Sequence, residues 1–145
     1  MFFFGAIIGG VAGYFGGRLD DSLSLLINVF LLLPGLPLMV ILAAWLPPGS
    51  LTIIIVLVFT GWAWHARVLR SQVMAYRKQD FVCASKVCGE SNFRIITIEI
   101  LPRMLSLMAS SFIGATIYGI GAQVGLEFLG LGDISQVTWG TNLYW

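Results

Sequence analysis

Four apolar runs near the length needed to cross a bilayer constrain this chain more than any other feature. A hydrocarbon core of about 30 Å asks for roughly 20 helical residues at 1.5 Å each. Residues 1–17 form a short uncharged run, 23–46 a full one, 51–66 a run that reaches its length only with flanking aromatics, and 104–126 a second full one. Only 10% of the residues are charged and 58% are hydrophobic, where a soluble domain carries about 25% charged residues. The expected fold is all-α, a polytopic transmembrane helix bundle over 1–145. Residues 67–103 form its cytoplasmic loop.

Charge distribution sets the topology. Seven of the eight Lys and Arg residues lie between Arg67 and Arg103; the other is Arg18. Cytoplasmic loops carry the Lys/Arg excess, so 67–103 is placed inside. Counting back, 47–50 is outside, 18–22 is inside and Met1 begins outside; counting forward, 127–145 is outside. Neither outer segment has a Lys or Arg, and the longer one holds only the acids Glu127 and Asp133. A nucleic-acid partner is set aside, because the basic residues occupy one loop between apolar segments and not a folded surface. Cys83 and Cys88, in that loop, have only the distant His65 to join them, which is no metal set. In the cytoplasm both are reduced thiols.

The opening run lacks the positive start and the small-residue cleavage site of a secretory signal. Gly5, Gly9, Gly13 and Gly17 recur every fourth residue, so on a helix they make one groove for close approach of a neighbouring backbone. Pro34 and Pro37 interrupt the second run and are expected to bend it towards protein, as ordinary kinks or as a hinge beside a path. Pro47-Pro48-Gly49 turns the chain tightly into the third run. A chain that starts inside an apolar run and stops at Tyr144-Trp145 is expected to be a piece of a larger bundle.

Within the charged loop, residues 72–88 read as an amphipathic helix. Gly89 suits a left-handed stop, Ser91 suits the cap of a second helix running from Asn92 towards Pro102, and Pro102 suits the first turn of the fourth run. Such a unit either lies on anionic lipid or docks on a cytosolic protein. Phe81-Val82 form an apolar knob followed by the small residues Cys83, Ala84 and Ser85, and on these grounds the two readings stay level.

Residues 80–102, DFVCASKVCGESNFRIITIEILP, resemble the EAA loop of ABC-importer permeases, with Ala84, Gly89, Leu101 and Pro102 in register. The segments Gly13-Tyr14-Phe15-Gly16-Gly17 with Asp20, Gly61-Trp62 with Ala66-Arg67 and Arg70, and Phe128-Leu129-Gly130-Leu131-Gly132 with Trp139-Gly140 resemble the dipeptide, oligopeptide and nickel branch. The chain departs from that pattern at four places. Cys83 stands where the motif has its Glu, Ser85 replaces the second Ala, Glu99 replaces a frequent His, and Gln123 occupies a common Glu position. The resemblance implies further membrane helices on both sides, one and a part before Met1 and one after Trp145. It also implies a permease subunit with ABC ATP-binding subunits, a second permease subunit and an extracytoplasmic solute-binding protein as partners, in the lipid of the cytoplasmic membrane. ATP and Mg would be bound by the partner ATPase, with no cofactor in this chain. The implied cargo is peptide, with nickel and oligosaccharide open.

On that reading Phe81, Val82, Cys83, Ala84, Ser85, Lys86, Gly89 and Arg94 contact the ATPase subunit. Phe81, Val82 and Ala84 fill its cleft, Gly89 sets the turn, and Lys86 and Arg94 give rim contacts. Pro34, Pro37, Gln123 and Glu127 are the path candidates, solvation of a helix end being the simpler account of the last two. No Gly-x-x-x-x-Gly-Lys-Ser/Thr is present, and His65, beside Trp64, reads as an interfacial residue and not a catalyst. A stand-alone channel or secondary transporter, its basic loop lying on lipid, is the competing class.

Overall fold

In the computed structural model residues 1–131 and 137–144 are described. Gly132, Asp133 and Trp145, which entered the reading above, lie outside the described residues. The fold is an all-α helix bundle. Its elements are α1 (Phe2–Phe15), α2 (Gly17–Leu32), α3 (Gly35–Trp45), α4 (Ser50–Arg77), α5 (Asp80–Val87), the short α6 (Asn92–Arg94), a π-helical turn (Ile95–Ile100), α7 (Leu101–Phe128) and the short α8 (Trp139–Tyr144). Asn92–Phe128 runs on without a break, and it and α4 are each long and apolar enough to span a membrane.

Helix α4 is the axis of the bundle. Nothing between Ser50 and Arg77 breaks a helix, so α4 does not stop where the apolar run ends near residue 66. Its 28 residues extend about 42 Å, more than the hydrocarbon thickness of about 30 Å, and carry Arg77 beyond it. Helix α1 lies along α4 and parallel to it. A Cβ on Gly5 would sit 2.5 Å from the Trp62 carbonyl oxygen, one on Gly9 would strike the Ala66 carbonyl, and one on Gly13 would sit 2.6 Å from that of Arg70. Three glycines four apart thus lie on three carbonyls four apart.

Gly17 does not extend this groove. Gly16 (φ 68°) and Gly17 (φ 61°) both adopt left-handed φ, which an L side chain resists, so α1 ends and α2 departs. Nor does α1 reach the far end of the bundle. It has 14 residues, about 21 Å, and Met1 packs over Gly61, midway along α4; the expected outer position of Met1 is corrected accordingly.

Helices α2 and α3 pack back along α4 in the opposite sense. Ile27 meets Trp62, Ala63 and Ala66, and Met39 and Ala43 meet Ile53 and Val56. The two helices are bent by 86°, so the 23–46 run is not one kinked rod. Pro34 alone makes the break: it forces Leu33 into extended backbone (ψ 133°). Pro37 falls in the first turn of α3, where its missing N–H is harmless. Both prolines are exposed and do not turn inward to protein. Helix α7 returns antiparallel to α4, with Met104 packed against the cluster of Leu69 and Val73 and Leu126 against Ile53 and Val56. The bundle therefore has one charged end, built from residues 16–20 and 67–103, and one nearly uncharged end.

Candidate functional site

Two features qualify, one at the charged end and one midway along the bundle. The first is a knuckle of two short helices. Helix α4 stops at Lys78, Gln79 takes extended backbone (ψ 152°), and α5 begins at Asp80, so residues 72–88 are not one helix. Gly89 (φ 79°) closes α5, with Glu90 N–H donating to the Ser85 carbonyl at 3.1 Å, as left-handed glycine stops do. Ser91 Oγ accepts from Arg94 N–H at 3.3 Å and starts α6. Pro102 falls in the first turn of α7, as expected, although the helix runs on from Asn92 without a break. The widened π-helical turn before it, in which Leu101 N–H reaches the Ile96 carbonyl, lets the helix pass through the proline without the bond that residue cannot donate.

The knuckle's apolar knob points into the bundle. Val82 is fully buried with Tyr14, Leu69, Val73, Ile95 and Ile100. Phe81 is half-buried under the Arg103 guanidinium, 3.9 Å from its ring centre. Val82 is therefore not free to fill a partner's cleft. Cys83, Ala84, Lys86, Gly89 and Arg94 are exposed. Ser85 is half-buried, its Oγ donating to the Phe81 carbonyl at 3.0 Å, and Arg94 lies 3.5 Å from Glu90. Two apolar residues missed by the sequence reading dominate the outward face, Val87 at 89% and Phe93 at 77% exposed. Helical period held the signal: five residues beyond the inward Val82, position 87 lies about 140° around the helix.

The second feature is a cavity of about 650 Å³ between the α2–α3 bend, α4 and α7. Leu33 and Gly35 from the bend, Thr60 and His65 from α4, and Ser111 and Tyr118 from α7 are among its lining, which among the described residues has no Asp, Glu, Lys or Arg. None of the four path candidates lines it. Two signals were there to be read: 111, 114 and 118 share one helix face, as do 60, 64 and 68. His65 is 7% exposed, its ring edge-on to Phe2 at 5.8 Å. It is buried within the bundle and not on its surface.

Gln123 and Glu127 are engaged elsewhere. Glu127 is 5% exposed and accepts from Gln123 Nε2 at 2.9 Å, Thr138 Oγ1 at 2.6 Å and Gly140 N–H at 3.1 Å. It is neither solvated nor on the cavity; it pins α8 to the end of α7. Glu127→Ala should release α8. Bonds to a charged acceptor are worth about 1.5–3 kcal/mol each, so hydrogen exchange at the Gly140 amide should quicken at least about tenfold, while Glu127→Gln, which keeps one acceptor oxygen, should quicken it less. Among the described residues no three His, Cys, Asp or Glu side chains group as a metal site.

Comparison with known proteins adds to this geometry. The family described as binding-protein-dependent transport system inner membrane component matches residues 5–144. A dipeptide transport system permease protein of Bacillus subtilis (strain 168) is 39% identical over 140 residues, covering 96% of this chain and 44% of that protein. An oligopeptide transport system permease protein of the same organism is 31% identical over 138 residues, with 94% and 45% covered. A nickel transport system permease protein of Escherichia coli (strain K12) is 32% identical over 144 residues, with 96% and 50% covered. The chain spans about half the length of the curated relatives it matches.

Proposed function

This chain belongs to the binding-protein-dependent transport system inner membrane component family and is a multi-pass protein of the cytoplasmic membrane, and on that premise we propose that it is a permease subunit of an ATP-driven ABC importer of peptides. The charged end faces the cytoplasm. There the knuckle receives a separate ATP-binding subunit, which holds ATP and Mg and performs the hydrolysis; this chain carries no catalytic centre. A second permease subunit completes the path, and an extracytoplasmic binding protein delivers the cargo.

One observation carries this reading. The knuckle is packed by Val82 into the base of α1, α4 and α7, and its second helix continues unbroken into the cavity-lining α7. A push on the knuckle is therefore a push on the cavity wall. ATP drives the change only if the closed cassettes hold the knuckle better in one arrangement than in the other. The Val82 side of the knuckle is held by the protein, and the outward Val87 and Phe93 are the apolar contacts left for the ATP-binding subunit. The uncharged, hydroxyl-bearing wall of Thr60, Ser111 and Tyr118 suits peptide amides, and the dipeptide and oligopeptide permeases among the relatives support that cargo.

The outward face of the knuckle supplies the test. In the assembled transporter, Val87→Asp with Phe93→Asp should reduce copurification of the ATP-binding subunit and lower uptake at least about tenfold, since each buries a charge in an apolar contact. Peptide uptake by the permease without any ATP-binding subunit would overturn the reading.

A further inference from the structure

We infer that Tyr14 is a positioning residue that ties the knuckle to α1, so that displacement of the knuckle moves the α1–α4 pair together with α7. This rests on the importer reading above and adds to it a specific link between the cytoplasmic contact and the membrane helices.

The geometry sets Tyr14 apart from the other residues of the charged end. It is the penultimate residue of α1 and is 5% exposed. Its hydroxyl donates to Asn92 Oδ1 at 2.8 Å, across 78 residues of sequence. Lys86 Nζ lies 5.5 Å from its ring centre, within the range of a cation–π contact. It also shares the buried cluster of Val82, Ile95, Ile100 and Met104. One side chain thus touches α5 and the first residue of α6 and shares a buried cluster with the π-helical turn and the start of α7.

What stands behind Tyr14 gives these contacts mechanical meaning. Gly9 and Gly13 leave no space between α1 and the backbone of α4, so α1 cannot slide without α4 following. The direct route from α6 into α7 passes through the π-helical turn, a register that a small shift can change and one common at functional sites. The Tyr14 route bypasses that turn. An isolated turn of helix would need no polar tie to a distant helix; here a tyrosine hydroxyl and an asparagine amide supply one at the point where the knuckle meets the bundle.

Tyr14→Phe removes the hydroxyl and keeps the ring, and Asn92→Asp keeps an acceptor. With the complete transporter in proteoliposomes, peptide uptake and ATP hydrolysis are measured on the same preparation, and hydrogen exchange over residues 80–94 is followed in parallel. The Phe variant should transport about fivefold less peptide per ATP hydrolysed, the size expected for one lost hydrogen bond, with faster exchange in the knuckle. Asn92→Asp should stay near the parent ratio. Asn92→Leu should match the Phe variant, and the double variant should be no worse than either single, because both remove the same bond. An unchanged ratio in Tyr14→Phe overturns the inference, as does unchanged exchange. Absence of ATP-dependent uptake in the parent would instead overturn the importer reading, and the exchange data would still decide whether Tyr14 holds the knuckle.

Discussion

Arg70→Met should be among the most damaging single substitutions in this protein, lowering its stability by about 3–5 kcal/mol. Arg70 on α4 and Asp20 on α2 form a two-pronged pair, Nε to Oδ1 at 2.5 Å and Nη2 to Oδ2 at 2.8 Å. Ser24 Oγ adds a third donor to Asp20 at 3.1 Å. Asp20 is only 7% exposed. Removing the guanidinium therefore strands a largely desolvated charge, and the penalty is mostly the desolvation of that orphan and not the net worth of the pair. This makes a second expectation inseparable from the first. Asp20→Leu combined with Arg70→Met removes both charges and should recover much of the loss, since apolar replacement of a buried pair is often close to neutral. Thermal unfolding in detergent, followed by tryptophan fluorescence, should show the single variant melting about 10 °C or more below the parent and the double variant between them. Equal loss in single and double would mean that the pair stabilises by attraction alone.

That pair also shows what the sequence could and could not disclose. The all-α class, the order of the apolar segments and the concentration of charge at one end follow from hydropathy and composition, whereas the helix limits do not: the 23–46 run is broken by 86° and α4 continues past residue 66 to Arg77. The left-handed Gly89, the Ser91 cap and the Gly5–Gly9–Gly13 groove are local, since each depends on spacing within one element. Partners between elements are not local. Asp20 and Arg70 were both visible as part of a resemblance, yet nothing in one chain says that they touch across 50 positions. Glu127 looked like a helix-end acid because its partners Thr138 and Gly140 come from a segment whose return path has no periodic signal. Val82 was assigned outward because an apolar knob beside small residues fits a cleft as well as a core; only the position of Ile95 and Tyr14 decides which it fills. The cavity was missed for a related reason, since hydroxyls on an apolar helix make no charge or motif, and their meaning comes from the facing helix.

Gly9→Leu should prevent α1 from docking, and this is the substitution on which fold and mechanism meet most directly. The Cβ of any side chain at position 9 would fall on the Ala66 carbonyl, with the Ala66 Cα and C each at 2.9 Å. Backbone atoms cannot swing aside as the end of a flexible side chain can, so the two helices must separate, and all three glycine contacts open together. Even Gly9→Ala should cost about 1–3 kcal/mol, the range for overpacking a filled interior, although alanine is the better helix former by about 1 kcal/mol. Gly10→Ala is the internal control: no atom lies within 4 Å of its Cβ position, so the helix-propensity gain should appear alone and the variant should be as stable as the parent or more so. The comparison separates a groove from a general tolerance of glycine in membrane helices, for which positions 9 and 10 would respond alike. A shift of α1 at Gly9 must also move Tyr14, one and a half turns further on, away from Asn92. Gly9→Ala protein that still folds should therefore resemble Tyr14→Phe in transported peptide per ATP, without any change to the hydrogen-bonding groups themselves, whereas Gly10→Ala should keep the parent ratio.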